Sequence, residues 1–248
     1  MEVIRILWLR QIKRFMRSGL RIVMGFVQPL VYMLALGYGL NAVFQGSGNG
    51  SYIQFIVPGI MVQTIMFGSM FWGANIIWDK QFGFLKETLV APVSRMKIMF
   101  GNVLGGATIS LVQGLILFII AIIFGFRPVN WEYIPLTVLF MAMLALSIIG
   151  FSAGIGAMVS DMQAFVAVNN FLLIPLFFLS SALFPLDHVP QVMKIIAAAN
   201  PISYAVDAIR FTLINRSHFG LLTDFIVMSA TLIAFLGFGT YRFNKIQA

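Results

Sequence analysis

Residues that could do chemistry are concentrated in two short polar segments of an otherwise apolar chain. The first, Asp79–Lys97, reads DKQFGFLKETLVAPVSRMK, and the second, Asn200–Arg210, reads NPISYAVDAIR. In the first segment Phe82, Leu85 and Leu89 fall on one face of a short helix, with charged residues beside them. Such a helix could fit a groove on a soluble partner and transmit its movement, or it could equally be a connector that lies on the surface.

No catalytic or metal-binding pattern accompanies these segments. A G-x-x-x-x-G-K-[ST] phosphate loop is absent, and the glycine-rich stretch Gly101–Gly106 lacks the lysine and lies in an apolar run. The chain has no cysteine, and His188 and His218 are isolated. The string Gly150–Gly154 has the form G-x-S-x-G, but it lies inside the predicted span 134–158 and not at a turn between a strand and a helix. We therefore expect no catalytic residue, no metal site and no cofactor, so that the chain is not an enzyme and its energy comes from a partner.

The composition indicates a membrane protein. Of the 248 residues, 60% are hydrophobic and only 10% are charged, whereas a soluble domain has about 25% charged residues. The mean hydropathy is +0.96. The net charge of +8 then reflects membrane topology rather than binding to nucleic acid. The predicted fold class is an all-α integral membrane protein with a single domain over residues 1–248.

Stretches without Asp, Glu, Lys or Arg locate the membrane spans, because crossing the hydrocarbon takes about 20 apolar residues. The first stretch contains two helices separated by a polar loop at Asn41–Ser51. A shorter run, Ile195–Val206, is broken by Asn200-Pro201 and is predicted to be re-entrant or interfacial. The six predicted spans are 22–40, 53–77, 98–124, 134–158, 163–184 and 222–241.

The basic residues predict the orientation. With the N-terminus inside, twelve of the sixteen Lys and Arg residues lie on the cytoplasmic side. An even number of spans also places the C-terminus in the cytoplasm, and the predicted location is the cell (cytoplasmic or inner) membrane. The basic residues left outside are Arg127, Lys194, Arg210 and Arg216.

Residues 1–19 are predicted to form an amphipathic helix along the membrane surface. Its function is left open between an anchor that sets topology and an elbow that docks a cytoplasmic partner. The apolar stripe consists of Ile4, Leu7, Trp8, Ile12 and Phe15, and the opposite side carries Arg10, Lys13, Arg14, Arg17 and Arg21.

The predicted spans contain no ionisable residue in their cores, which weighs against an ion-coupled transporter or a proton pump. They do contain neutral polar residues, most of which would form hydrogen bonds between helices. Gln28, Gln63, Asn169 and Asn170 are candidates for lining the path of a bulky amphipathic substrate. Pairs of small residues, such as Gly101/Gly105 and Gly150/Gly154, permit close helix packing.

The two polar segments resemble those of type-2 ABC (ATP-binding-cassette) exporter permeases. Asp79–Arg95 is similar to the family signature, roughly D-R-E-x-G-x-L-[KE]-x-L-x-[AT]-P-[VI]-[SP]-R, although Lys80 and Gln81 replace the commoner Arg-Glu pair. Asn200–Arg210 looks like the Asn-Pro-x-[ST]-Tyr-x-x-[DE]-x-x-Arg segment that precedes the last span, and Ser51–Ile60 resembles the entry to the second span. The resemblance covers essentially the whole chain.

The resemblance implies a transporter of two permeases, as a homodimer or with a paralogue, and two ABC ATPase subunits that hold ATP and Mg. It implies outward movement of a drug, a lipid or a lipid-linked glycan, with contacts to membrane lipids and with spans one, two and five as walls of the route. Loop 79–97 would be the coupling loop, and 185–220 would contain the re-entrant outer helices.

The resemblance also assigns residues to these parts. The coupling helix that docks on the ATPase would use Asp79, Lys80, Gln81, Phe82, Gly83, Leu85, Lys86, Glu87, Leu89 and Pro92. Ser160 and Asp161 would form a second cytoplasmic contact. The outer gate would contain Asn200, Pro201, Tyr204, Asp207 and Arg210.

Two other classes of function remain open at this point. The chain could be a secondary transporter or channel that works without an ATPase, because backbone carbonyls can bind Na⁺ without an ionisable side chain. It could also be a membrane assembly or sensor subunit that transports nothing.

Overall fold

The computed structural model describes residues 2–41, 45, 51–81, 94–186 and 189–245, with Arg21 and Lys80 described by their backbone alone. These residues form α-helices and a short 3₁₀ turn, with no β-strand among them. The helices are α1 (Glu2–Met16), α2 (Gly19–Gly39), α3 (Tyr52–Gly73), α4 (Asn75–Gln81), α5 (Arg95–Ile123), α6 (Ile134–Met158), α7 (Met162–Phe178), α8 (Gln191–Ala199), α9 (Pro201–Ile214) and α10 (Leu221–Asn244).

Five helical stretches in the described part are long and apolar enough to cross a membrane. They coincide with five of the six predicted spans: α2, α3 continued by α4, α5, α6 with the preceding 3₁₀ turn, and α10. The number rises to six if the bent pair α8–α9 is one span. The prediction of an all-helical fold with several apolar helices is therefore confirmed, and length and composition allow five or six crossings.

The predicted fifth span, 163–184, is shorter than expected. Helix α7 has 17 residues and ends at Phe178, after which the chain turns. Pro175 near its end cannot donate a backbone hydrogen bond, and the hydroxyl of Ser180 binds the carbonyl of Phe177 at 2.6 Å in competition with the helix. Ser181 then adopts a left-handed conformation with φ of 62°, which completes the exit from the helix.

Helices α8 and α9 meet at an angle of 90°. The bend lies at Asn200-Pro201, within the apolar run Ile195–Val206, which is too short to cross a membrane by itself. Proline at the first position of α9 fits because that position needs no backbone N–H donor. The Asn200 side chain caps α9 by accepting the N–H of Ile202 at 3.0 Å.

Helix α3 lies at the centre of the packing. In an apolar 18-residue stretch of its span 83% of the residues are buried, against 11% in the corresponding stretch of α10 at the periphery. Helices α2, α5, α6 and α9 pack around α3, whereas α10 packs mainly on α6. The continuous apolar run of the second predicted span therefore forms the core rather than the lipid-facing surface.

Glycines allow α10 to approach α6 closely. A Cβ added to Gly150 would lie 2.8 Å from the Leu236 side chain, and one on Gly239 would contact the backbone carbonyl oxygen of Gly150. Gly154 faces the ring of Phe238 in the same seam. The predicted role of the Gly150/Gly154 spacing in helix packing is therefore confirmed.

We expect Gly239→Ala to destabilise the protein by about 1–3 kcal/mol, because the new methyl group meets rigid backbone in a packed seam. Gly237→Ala is the matched control, since a Cβ there meets nothing within 4 Å. The control should be neutral or slightly stabilising, because alanine favours a helix over glycine. Thermal unfolding of the purified variants in lipid measures both effects, and equal stability of the two variants would contradict the close seam.

Candidate functional site

Helix α1 lies against α5 through two glycines. A Cβ on Gly101 would stand 2.8 Å from the Cβ of Leu7, and one on Gly105 would stand 2.8 Å from the Cβ of Gln11. The Trp8 indole N–H also donates to Thr108 Oγ1 at 3.0 Å. The N-terminal helix is therefore packed on the first half of α5, and the Gly101/Gly105 spacing serves this contact.

Polar side chains tie α1 to the helix that continues α3. The Arg10 guanidinium donates to the Asp79 carboxylate at 3.2 Å and to the Asn102 side-chain oxygen at 3.4 Å. The Gln11 amide donates to the same Asn102 oxygen at 2.9 Å. A further bond runs from Arg14 to the Asn75 side-chain oxygen at 3.5 Å. These residues, here called the α1–α4 joint, connect α1, α4 and α5.

The predicted division of α1 into an apolar face and a water-facing basic face is only partly right. Its buried residues are Leu7, Gln11 and Phe15, so a polar amide replaces part of the predicted apolar stripe. Two predicted basic-face residues, Arg10 and Arg14, instead turn toward α4. The sequence pattern of α1 could not reveal this, because the carboxylate and amide that attract these cations lie more than sixty residues away.

The predicted coupling segment begins at the α1–α4 joint. Asp79 is buried and paired with Arg10, while Gln81 is exposed at the end of α4 and Lys80 belongs to the same helix. The remaining predicted docking residues lie outside the described residues: Phe82, Gly83, Leu85, Lys86, Glu87, Leu89 and Pro92.

Ser160 and Asp161 are both exposed in the short connection between α6 and α7. Asp161 caps α7 by accepting the N–H of Ala164 at 2.8 Å. The nearby end of α6 packs on the α3–α4 junction, where a Cβ on Gly156 would lie 3.2 Å from the Gly73 carbonyl oxygen. The connection is thus at the same end of the molecule as the α1–α4 joint.

A cavity of about 570 Å³ lies among α2, α3, α5 and α7 and is closed at one end by α1 and α4. None of the lining residues that the structure describes is ionisable, and exposed Met24, Phe71 and Trp78 stand at its edge. The lining combines aromatic rings with neutral polar groups: Phe15, Met24, Gly25, Gln28, Pro29, Gln63, Thr64, Phe67, Gly68, Phe71, Trp72, Ala74, Asn75, Trp78, Gln113, Met162 and Val166.

The Gln113 amide is fixed between two glycines of the cavity wall. A Cβ on Gly25 of α2 would lie 2.9 Å from Gln113 Nε2, and one on Gly68 of α3 would lie 3.0 Å from Gln113 Oε1. Nearby, Gln63 is buried and its Oε1 atom has no hydrogen-bond partner among the described residues. The wall thus presents carboxamide groups that a ligand could satisfy.

The four predicted pathway residues do not all meet in this cavity. Gln28 and Gln63 line it, but Asn169 and Asn170 do not. Asn169 is instead buried and accepts the Ser152 hydroxyl at 3.0 Å while donating to the Phe165 carbonyl at 3.0 Å. Asn169 therefore joins α7 to α6. The polar lining residues Thr64, Asn75 and Gln113 are absent from the predicted set.

The predicted gate residues lie together on α9 and its cap. Asn200, which precedes Pro201, caps α9 and also donates from its side-chain amide to the Leu176 carbonyl of α7 at 2.6 Å. The Tyr204 hydroxyl donates back to the Ala198 carbonyl at 2.7 Å, and its ring packs on Phe219 at 4.6 Å between centroids. These contacts hold the 90° bend and join it to the end of α7.

Asp207 organises the loop that follows α9. Its carboxylate accepts the Ser217 hydroxyl at 2.8 Å and the backbone N–H groups of His218 and Phe219 at 2.9 and 2.8 Å. The carboxylate is almost fully buried, so these donors replace its lost hydration.

Arg210 connects α9 to the start of α3. Its guanidinium donates to the Ser181 carbonyl at 2.9 Å and lies 4.1 Å above the Phe55 ring. Close by, the Tyr52 hydroxyl donates to the Leu183 carbonyl at 2.7 Å. The segment after α7 is therefore held between α3 and α9.

One buried ionisable residue was missed by the sequence reasoning. Asp224 lies in the first turn of α10, inside the predicted span 222–241, and is completely buried. Neither carboxyl oxygen has a hydrogen-bond partner in the described part of the chain. The sequence did contain a signal: the charge-free stretch begins at Phe225, so the predicted span 222–241 includes the carboxyl of Asp224 at its start.

Comparison with known proteins finds a match to the family model described as ABC-2 type transporter over residues 2–214. The putative transport permease ycf38 of Cyanophora paradoxa is 31% identical over 202 residues, covering 79% of this chain and 68% of the relative. The inner membrane transport permease YadH of Escherichia coli (strain K12) is 28% identical over 237 residues, covering 92% and 90%. Nodulation protein J of Rhizobium leguminosarum bv. viciae is 23% identical over 230 residues, covering 89% and 88%.

Substitutions at Asn200 test the joint between the bend and α7. Asn200→Ser retains a capping oxygen for α9 but loses the donor to Leu176, whereas Asn200→Ala loses both bonds. We expect stability to fall from wild type to Ser to Ala, with about 1 kcal/mol for the lost cap. Thermal unfolding in lipid gives the order, and an Ala variant as stable as the Ser variant would contradict the capping role.

Proposed function

Because the chain belongs to the ABC-2 type transporter family and is a multi-pass membrane permease, we propose that it is the transmembrane subunit of an ATP-driven exporter. In this proposal it moves an amphipathic molecule, such as a drug, a lipid or a lipid-linked glycan, outward across the cytoplasmic or inner membrane. The observation that carries the proposal is the uncharged, partly aromatic cavity among α2, α3, α5 and α7.

The chemistry of the cavity supports an amphipathic substrate. Phe67, Phe71, Trp72 and Trp78 offer apolar and aromatic surface, while carboxamides of the lining offer hydrogen bonds. A cavity of about 570 Å³ lies within the range of small-molecule sites. Among the described lining residues there is no counter-ion for a charged headgroup, which favours a substrate whose bound part is electrically neutral.

The energy for transport is proposed to come from a separate ABC ATPase that carries ATP and Mg. The sequence has no phosphate loop of its own. The proposed docking segment 79–97 starts in α4, which Arg10 holds to α1. A push on this segment would therefore reach α1, α3 and α5, and through them one end of the cavity.

The cavity wall is proposed to be completed by a second permease, which we assign as another copy of this chain. Helices α2 and α7 both border the cavity and both present exposed apolar side chains. Val23, Val27 and Val31 are 48–61% exposed along α2, and Phe171 of α7 is 79% exposed. Lipid can cover part of such a surface, and a second copy would convert the open side of the cavity into an enclosed route.

The topology completes the proposal. Six crossings result if the segment from Met162 to Leu186 crosses once as α7 and its following turns, with the bent pair α8–α9 re-entrant from the outside. Both termini are then cytoplasmic, and the joined residues Asn200, Tyr204, Asp207 and Arg210 lie at the outer end as a gate.

Charged substitutions test docking of the ATPase. We expect Phe82→Glu combined with Leu85→Glu to prevent recruitment of a co-expressed ABC ATPase, because the change places carboxylates on the proposed apolar docking face. The amount of permease inserted in the membrane should be unchanged. Co-purification of the tagged ATPase with the permease measures the effect.

Val129→Glu is the control for this experiment, because Val129 is 62% exposed at the opposite end of the molecule. This control should retain the ATPase. Equal recruitment by both variants would refute the docking assignment. Transport by vesicles that contain the permease alone would refute the ATP-driven mechanism and favour a secondary transporter or channel.

Substitution of Gln113 tests the cavity. We expect Gln113→Leu to raise by about 2–10-fold the concentration of an uncharged hydrogen-bonding amphiphile that half-stimulates ATP hydrolysis, because one buried hydrogen bond is lost. Stimulation by apolar compounds without hydrogen-bonding groups should change little. The measurement uses the permease–ATPase complex in lipid vesicles.

Thr240→Val in α10 is the matched control for Gln113→Leu. Thr240 lies far from the cavity lining and its hydroxyl binds only its own helix, at the Leu236 carbonyl, among the described contacts. The control should respond to both classes of compound as the wild type does. An identical response of the Gln113 variant and the control would exclude Gln113 from substrate contact.

A further inference from the structure

Two carboxyl groups at the loop between α9 and α10 have opposite surroundings. The Asp207 carboxylate accepts hydrogen bonds from Ser217, His218 and Phe219. Asp224 is equally buried, yet neither of its oxygens has a hydrogen-bond partner among the residues that the structure describes. The fold thus supplies hydrogen-bond donors that stabilise a negative charge on Asp207, but the described residues supply none to Asp224.

An ionised Asp224 would be unstable in this position. Burying a carboxylate without compensating donors carries a large free-energy penalty, even after structural relaxation. The N-terminal end of a helix favours a negative charge only weakly by comparison. The helix end therefore cannot offset the burial, and the neutral carboxyl is the form that this packing accepts.

Helices α5 and α6, which both pack on α10, supply no counter-charge near Asp224. Helix α6, its main neighbour, contains no ionisable residue, and its Phe140 ring contacts Phe225 beside Asp224. Helix α5 has its basic residues, Arg95 and Lys97, in its first turn at the opposite end of the molecule.

The groups of α9 that act on Asp224 are acidic or neutral. Asp207 and Tyr204 both interact electrostatically with the Asp224 carboxyl. The Arg210 guanidinium is directed to the Ser181 carbonyl and the Phe55 ring instead. The groups of α9 that interact with the Asp224 carboxyl therefore supply no positive charge to it.

The α9–α10 loop contributes two more ionisable side chains. The backbone N–H of His218 is bound by Asp207, and its ring packs on Phe219. Arg216 acts electrostatically on Arg210. Within the described residues, the groups from α5, α6, α9 and the loop leave both oxygens of Asp224 without a donor.

We infer that Asp224 is a proton-binding site, whose carboxyl is neutral while α9 and α10 are packed together as in this structure. The inference goes beyond the proposed function, which gives no role to an ionisable group within a span. Carboxyl groups within membrane spans are rare and usually have a function, which agrees with this inference.

The site links proton binding to the packing of the outer end. A conformation that buries Asp224 retains the proton, whereas a conformation that exposes it to water allows ionisation. By linkage, acid must favour the buried arrangement, and its stability must decrease as the pH rises. Opening of the α9–α10 region to the outside would therefore release a proton.

Stability of the full-length protein in lipid vesicles tests this sign. Asp224→Asn imitates the neutral carboxyl, so its melting temperature should match that of wild type in acid and exceed it increasingly in alkaline buffer. Asp207→Asn is the matched control. It removes a carboxylate that accepts several hydrogen bonds from the loop, so it should lower the melting temperature of the protein at either pH. A constant difference between Asp224→Asn and wild type across pH would overturn the inference.

Chemical labelling locates the proton. Dicyclohexylcarbodiimide is an apolar reagent that adds to protonated carboxyls, so that the carboxyl proton moves to the reagent nitrogen as the new C–O bond forms. We expect Asp224 to be labelled faster than Asp207 by about tenfold or more, since only Asp207 is bound as an anion. Peptide mass spectrometry measures the two rates in the same sample.

The labelling rate at Asp224 should decrease in alkaline buffer and should not respond to NaCl at constant pH. Labelling of Asp207 in preference to Asp224 would overturn the inference. Protection of Asp224 by Na⁺ alone would also overturn it, because the site would then bind a metal cation instead of a proton. Neither measurement requires transport or an ATPase, so both remain valid if the proposed function is wrong.

Discussion

The structure depends on the lack of water in the hydrocarbon of a membrane, where a polar group must find its partner within the protein. Backbone groups are satisfied by forming helices throughout the described spans. Several hydroxyl groups follow the same rule, as when Ser147 donates to Met143 and Thr231 donates to Val227 in their own helices. Charged side chains that meet across elements do so near the two ends, in the α1–α4 joint and in the α9 network.

Close helix packing compensates for the weak hydrophobic drive between helices in lipid. Glycine makes this packing possible at the α1–α5 contact, in the α6–α10 seam and around Gln113. Gly25 and Gly68 have a second effect, because they leave room for a polar side chain at the cavity wall. The same residue type therefore closes the bundle in two places and shapes the cavity wall in a third.

The sequence predicts elements whose cause is local and fails where the cause is distant in the chain. Charge-free stretches predict five long helices because hydrocarbon thickness sets their length, and Asn200-Pro201 predicts the bend because proline begins a new helix. The inward turn of Arg10 depends on Asp79, and the place of Gln113 depends on two glycines from other helices. Such pairings arise from the folded packing, so a pattern within one helix does not contain them.

The two polar ends differ in strength, and this difference predicts where the permease yields to force. The Arg10–Asp79 pair is 3.2 Å long, with side chains 30% and 11% exposed, so the cost of removing both charges from water offsets much of their attraction. The Asp207 carboxylate is buried with several donors, and each hydrogen bond to a charged group contributes about 1.5–3 kcal/mol. A partner acting on segment 79–97 would therefore rearrange the α1–α4 joint before it separates α9 from its loop. Since Asn75 belongs to both the joint and the cavity lining, that rearrangement changes the shape of the cavity first.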